Sequence, residues 1–291
     1  MQHLIAAEWQ KLTRRPLTQV LLVVFLLLLL VQIVGQVVFA GLLRNAAEGS
    51  NLAIQAAEYR HRSVLPGVIG SALGHVNGLG GIFAIILTAA AMGSEYSWGT
   101  LRTQLARTPG RTRYLLAKLV AILVLLAVGS LVGIIVAVLA GSIAGLFLPA
   151  GGGLGPALVL LPVALLRALF VLLPYVLLTL CFTVAGRSLL IGVAGGLVYL
   201  VFEGGFGALA VFAQLGGFWQ TIYSLTIGQN INALVVQNSH DFGLRPELIT
   251  PLAVDSLPPY WQAVLVVFVY CVSFLATALT LFRRRDIGGA Q

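Results

Sequence analysis

The chain has 291 residues, of which 59% are hydrophobic and 9% charged, and its mean hydropathy is +1.00. Soluble domains carry roughly 25% charged residues, so this composition excludes a water-soluble globular protein and predicts an all-α integral membrane protein. The two cysteines lie in apolar runs, which does not indicate a disulfide framework or a metal cluster. We interpret residues 1–291 as a single transmembrane domain.

The N-terminal stretch QHLIAAEWQKLTRRP predicts a short amphipathic helix. Leu4, Ile5, Trp9 and Leu12 share one stripe, and the basic residues lie off it. Such a helix lies in the plane of the membrane interface, and Pro16 then turns the chain into the first span.

Six apolar segments are long enough to cross a bilayer, which requires about 20 residues each. The predicted spans are residues 17–43, 68–92, 115–148, 157–185, 189–212 and 261–282. Two longer segments, 44–67 and 213–260, would face the outside, and we expect them to form short helices against the outer leaflet.

The basic residues are distributed unevenly between the two predicted sides. One side has four, namely Arg44, Arg60, Arg62 and Arg245; the other has twelve, namely Lys11, Arg14, Arg15, Arg102, Arg107, Arg111, Arg113, Lys118, Arg187, Arg283, Arg284 and Arg285. By the positive-inside rule, both termini are predicted to be cytoplasmic, in the cell membrane. The net charge of +8 is explained by this topology and does not indicate a nucleic-acid partner.

The cytoplasmic loop 93–114 predicts a helix of about ten residues that starts near Ser97. Trp98, Leu101 and Leu105 fall on one face, and the sequence TPG ends the helix before Arg111. From the residues alone, this helix is either a linker that binds acidic lipid headgroups or a ridge that docks on a partner.

Two motifs resemble the permease subunits of ABC type-2 transporters. AEWQKLTRRP resembles the family's N-terminal elbow helix, and EYSWGTLRTQLARTPGRTRYLLAK resembles the loop after its second span. The resemblance extends to the six-span layout over nearly the whole chain. It implies a coupling helix that sits in a cleft of a separate cytoplasmic ATPase, a dimer with a second copy or a paralogous permease, and export as the usual direction. The residues assigned to coupling are Glu95, Trp98, Thr100, Leu101, Arg102, Leu105 and Arg111.

The sequence contains no Walker A motif, because its only lysines, Lys11 and Lys118, are not preceded by glycine. We therefore expect ATP and magnesium to be bound by the partner, and neither enzymatic activity nor a cofactor in this chain. Two alternatives remain open at this point: a scaffold or sensor subunit in contact with membrane lipids, and a membrane-embedded hydrolase.

Small residues recur every four positions along the third span, at Gly129, Gly133, Ala137, Gly141 and Gly145. This spacing predicts a ridge on which another helix packs closely.

Arg167 and Glu203 are charged residues inside predicted spans. A charge at mid-membrane costs roughly 2.5–3.5 kcal/mol even on permissive scales. We expect the two to pair across the fourth and fifth spans, or to face a cavity between subunits.

Overall fold

A computed structural model describes residues 2–43, 50–106, 110–148, 152–208, 217–248 and 256–284. These residues form α-helices, short turns and one 3-10 helix, Pro246–Leu248, with no strand among them. We number the helices α1 Gln2–Thr13, α2 Pro16–Leu42, α3 Asn51–Ser63, α4 Gly67–Ser97, α5 Thr100–Ala106, α6 Arg111–Ala144, α7 Gly155–Gly186, α8 Leu189–Ala208, α9 Gly217–Leu225, α10 Ile227–Asp241 and α11 Tyr260–Arg284.

Within the described ranges, five helices are long and apolar enough to cross a membrane: α2, α4, α6, α7 and α11. They correspond to five of the six predicted spans. The remaining predicted span, 189–212, begins where expected, but its apolar helical stretch is shorter, Leu189–Gly205, and residues 209–212 lie outside the described part of the chain. Exposed valines and leucines cover the outer faces of these helices, as on α2 at Val23, Leu27 and Val31, which suits contact with lipid.

Helix α4 lies at the centre of the bundle. In its most apolar window 72% of the residues are buried, against 22–33% in the other four candidate spans. Its central alanines and glycines allow this position, because small side chains permit α7 and α8 to approach closely. At Gly93, for example, a Cβ atom would collide with the backbone of Leu189.

Polar segments collect at the two ends of the bundle. Helices α1 and α5, the start of α6 and the last turn of α11 meet at one end, which we call the α5 end. Helix α3, the end of α10 and the 3-10 helix meet at the opposite end. Of the fourteen described Lys and Arg residues, ten lie at the α5 end, three at the opposite end, and Arg167 within α7.

Helix α10 corrects the expectation that the segment 213–260 forms short helices against the outer leaflet. It is inserted between α4, α7 and α11, and its buried Ile231 and Leu234 pack in one core cluster with Val171 of α7 and Val267 of α11. The buried face of α10 carries polar as well as apolar side chains. Its buried side chains include Gln229, Asn230 and Asn238, so the sequence composition made it look like a surface segment.

The glycine ridge of α6 contacts two different helices. A Cβ at Gly133 would lie 3.2 Å from the Phe25 ring of α2, and one at Gly141 would lie 2.5 Å from Val68 Cγ1 of α4. At Gly129 the nearest side-chain atom, on Leu22, is 3.8 Å away. Gly145 would meet only carbonyl oxygens of its own chain segment, so close packing is confined to the middle of the ridge.

The Gly141→Ala variant should be destabilised by about 1–3 kcal/mol, the range typical of overpacking, because Val68 is fully buried and cannot move aside. Gly129→Ala in the same helix is the matched control and should be close to wild type, since an added methyl has room there. The measurement is the free energy of unfolding in detergent. Val68→Ala combined with Gly141→Ala should recover part of the loss; an unchanged Gly141→Ala protein would show that this contact is loose.

Candidate functional site at the α5 end

The turn between α4 and α5 is set by Gly99. Its φ of +64° is in the left-handed region that favours glycine, and the Trp98 and Gly99 amides donate to carbonyls of the last turn of α4. Helix α4 therefore extends to Ser97, whose hydroxyl donates back to the Gly93 carbonyl at 3.1 Å. The sequence predicted a helix of about ten residues that starts near Ser97; instead α5 starts at Thr100 and has seven residues.

The apolar residues of this loop do not form one outward ridge, which corrects the sequence-based prediction. Leu101 is 2% exposed and packs with Met92, Tyr114 and Leu115, and Leu105 packs on the same cluster. Trp98 precedes the helix and is 69% exposed. Leu101 and Leu105 thus attach α5 to the bundle.

The outward surface of this segment carries other side chains. Arg102 and Thr103 are exposed, as is Trp98, while Thr100 is half-buried. Arg111, at the start of α6, donates to the Arg283 carbonyl of α11 at 3.1 Å. Pro109, which contributes to the family motif, lies outside the described residues, as does Arg107.

A buried ionic network joins α1, α4, α5 and α6 beneath this surface. Lys118 Nζ lies 2.9 Å from Glu8 Oε2 and 2.7 Å from Glu95 Oε1, and it also donates to the Ala91 carbonyl at 3.0 Å. Lys118 and Glu95 are each 1% exposed. We call this set, completed by Lys11, Gln104 and Tyr114, the α5-end network.

The remaining members connect the helices. Lys11 Nζ lies 2.5 Å from Glu8 Oε1 and donates to Gln104 Oε1 of α5 at 2.9 Å. The Tyr114 hydroxyl donates to Glu95 and lies 2.7 Å from the same Gln104 oxygen. Four helices therefore share one set of charge-assisted contacts, which restricts their relative movement.

The charges in the network favour the ionised form of Glu8. Burial raises the pKa of Glu8, but the ammonium groups of Lys118 and Lys11 act in the opposite direction and outweigh it, so the pKa lies below its ordinary value. Arg15 strengthens the same junction without joining the network. Its guanidinium donates to the Ala90 carbonyl and Ser94 Oγ, both at 3.0 Å, and lies 5.6 Å from the centre of the Trp98 ring.

A second group of charges lies towards the opposite end. Arg167 of α7 donates at 2.6 Å to both Asp241 Oδ2 and Asn238 Oδ1 of α10, and stacks on Tyr260 at 5.2 Å. The sequence predicted that Arg167 and Glu203 pair or that they face a cavity between subunits. The pairing is wrong in the described structure, because Arg167 pairs with Asp241 instead. The insertion of α10 places a carboxylate beside Arg167, which could not be foreseen while this helix was assigned to the surface.

Glu203 of α8 has hydroxyl groups as its neighbours. Its carboxylate accepts from Tyr175 at 3.0 Å and from Tyr199 at 3.4 Å. It borders a cavity of about 680 Å³ between α4, α8, α10 and α11. Across the described ranges, no group of three or more His, Cys, Asp or Glu side chains is arranged to hold a metal ion.

Residues 2–287 match the family described as ABC-2 family transporter protein, which is nearly the whole chain. The chain belongs to the ABC-2 transporter family. It is therefore a membrane protein of the permease type, as the two sequence motifs predicted. A comparison with curated proteins gave no match.

The structure brings several motif residues of the permease together. Glu95, Tyr114 and Lys118 meet in the α5-end network, and Leu101 and Leu105 cover it from the side of α5. Sequence reasoning missed Glu8 as a member of this network. The available signal was that Glu8 is the acidic residue of an otherwise basic N-terminal helix and is also part of the family motif.

Proposed function

We propose that this permease works with a separate cytoplasmic ABC-type ATPase and exports a substrate across the cell membrane. In this proposal α8 is a sixth crossing, and the α5 end, with both termini, faces the cytoplasm. The distribution of Lys and Arg supports this orientation, because ten of the fourteen described basic residues lie at that end. The permease would act as a dimer of this chain or with a paralogous subunit. ATP and magnesium would be bound by the ATPase.

The observation that carries the proposal is the exposed surface of Trp98, Arg102 and Thr103. It lies on a segment that Leu101 and Leu105 attach to the bundle. A large exposed aromatic residue beside a cation is typical of an anchor for a protein partner. Movement of the ATPase against this surface would reach α1, α4 and α6 together, because the α5-end network joins them. Docking would therefore be transmitted to three helices at once.

The Trp98→Glu variant should reduce co-purification of the ATPase at least about tenfold, with little change in the permease's own stability. Its side chain is exposed, so the substitution removes a partner contact and leaves the core intact. The measurement is capture of the tagged permease from native membranes, with quantification by mass spectrometry of an ABC ATPase that contains a Walker A motif.

Two control variants separate docking from folding. Trp219→Glu changes an exposed tryptophan of α9 and should leave capture unchanged. Leu101→Glu buries a charge and should lower the unfolding temperature as well as capture. If wild-type permease captures no such ATPase, a scaffold or sensor role without transport replaces the proposal; if Trp98→Glu captures it normally, the docking surface is elsewhere.

A further inference from the structure

The cavity beside Glu203 has the size and lining of a ligand site. Its volume of about 680 Å³ falls within the range of small-molecule pockets, roughly 300–1,000 Å³. Aromatic rings form much of its wall, including Tyr175, Tyr199, Tyr270 and Phe274. Glu203 is the one charged residue among its described lining residues.

The charge of Glu203 has no basic partner among the described side chains. The nearest polar groups are the Tyr175 and Tyr199 hydroxyls, which donate hydrogen bonds but supply no positive charge. Arg167 is engaged by Asp241. An anion within an apolar bundle requires a counter-charge or a strong set of donors, so a positively charged ligand would complete this environment.

Asn77 of α4 provides an independent observation. It is 7% exposed and lines the cavity, yet neither its amide nitrogen nor its amide oxygen has a hydrogen-bond partner within the described structure. Buried amides are almost always hydrogen-bonded, so Asn77 is an unsatisfied polar group in the wall of the cavity. Hydrocarbon chains alone would leave it unsatisfied.

Glycines of α4 keep the cavity open. A Cβ atom at Gly74 or Gly78 would meet nothing within 4 Å, whereas one at Gly70 would lie 2.9 Å from Phe242. Of these three glycines, which are spaced four residues apart, only Gly70 packs closely. Gly74 and Gly78 also line a second cavity of about 360 Å³ towards the opposite end, where Arg62 is paired with Glu58 at 3.0 Å.

We propose that this cavity binds a hydrophobic organic cation, and that such cations are the substrate class of the permease. The substrate assignment rests on the proposed export function, whereas binding itself does not. The Glu203 carboxylate faces the positive charge, and the rings of Tyr175 and Tyr199 contribute cation–π attraction. The apolar part of the ligand lies against Phe274 and Ile227, and a polar group on the ligand or a water that enters with it satisfies Asn77.

The test is a binding measurement on the purified full-length permease in lipid nanodiscs, with empty nanodiscs subtracted. The probes are tetraphenylphosphonium and tetraphenylborate, which have the same shape and opposite charge. Because the ATPase is absent from this assay, its result is independent of whether α5 docks as proposed. Wild-type protein should bind tetraphenylphosphonium saturably, and tetraphenylborate should not compete.

Glu203→Gln should weaken tetraphenylphosphonium binding at least about tenfold, because it removes the charge and keeps an acceptor for the tyrosines. Glu247→Gln, a carboxylate at the opposite end that lies outside the cavity, is the matched control and should bind normally. Gly78→Leu fills open space and should also reduce binding while the protein remains folded. Unchanged affinity in Glu203→Gln, or in folded Gly78→Leu, would overturn the proposal, as would equal competition by tetraphenylborate.

Discussion

Lys118→Met should lower the free energy of unfolding by about 3–5 kcal/mol, the loss expected when one partner of a buried ion pair is removed. Lys118 is the cation closest to Glu95, at 2.7 Å, and it also contacts Glu8, while Lys11 lies 3.8 Å from Glu95. Methionine has similar length and no charge. The measurement is a denaturant or SDS titration of the purified permease.

Lys11→Met is the control within the same network. The Lys11 side chain is 38% exposed, so water can screen the charges that it leaves behind, and a smaller loss is expected. Adding Glu95→Gln to Lys118→Met should recover part of the stability, because it removes the unpaired carboxylate. Equal losses for Lys118→Met and Lys11→Met would contradict the central position of Lys118.

Arg167→Glu should prevent correct packing of α10, because it places a second acidic group beside Asp241 and leaves Asn238 without its donor. The expected loss is also about 3–5 kcal/mol, or no folded protein at all. Exchanging the charges in Arg167→Glu with Asp241→Arg should restore a folded permease. The readout is the yield of monodisperse protein in size-exclusion chromatography, followed by its unfolding temperature.

The informative comparison is a second exchange, Arg167→Glu with Glu203→Arg. It should not restore folding, because Glu203 is bonded to Tyr175 and Tyr199 and does not contact Arg167. Rescue by this second exchange, and failure of the first, would return the ion pair to the arrangement that the sequence suggested.

Arg167 and Glu203 show that the sequence can identify charged residues within the spans but cannot identify the partner of each. Both Arg167 and Glu203 stood out because charges are rare in apolar spans. The choice of partner depends on which helix comes within a few ångströms, and the neighbour of Arg167 is supplied by α10. That helix contains Gln, Asn and His at high frequency, so its burial was hidden by its own composition.

In loop 93–114 the sequence likewise predicted the pattern of apolar residues but not the contacts that each residue makes. The helical spacing of Trp98, Leu101 and Leu105 was visible in the sequence, but spacing does not specify what the apolar face contacts. Gly99 turns the chain, so that Trp98 lies outside α5 and points away while Leu101 packs inward. Within this pattern Leu101 and Leu105 therefore stabilise the attachment of α5, whereas Trp98 is exposed.

The sequence alone was enough to predict that this protein lies in a membrane, where most of its spans are, and which family it belongs to. Those properties depend on composition and on local patterns, which can be read from neighbouring residues in the sequence. Only the tertiary structure decided that Lys118 meets Glu8 and Glu95, that Arg167 meets Asp241, and that Glu203 faces a cavity. Ion pairs and cavities depend on distances between residues that are far apart in the sequence, and these distances are set by how the helices pack.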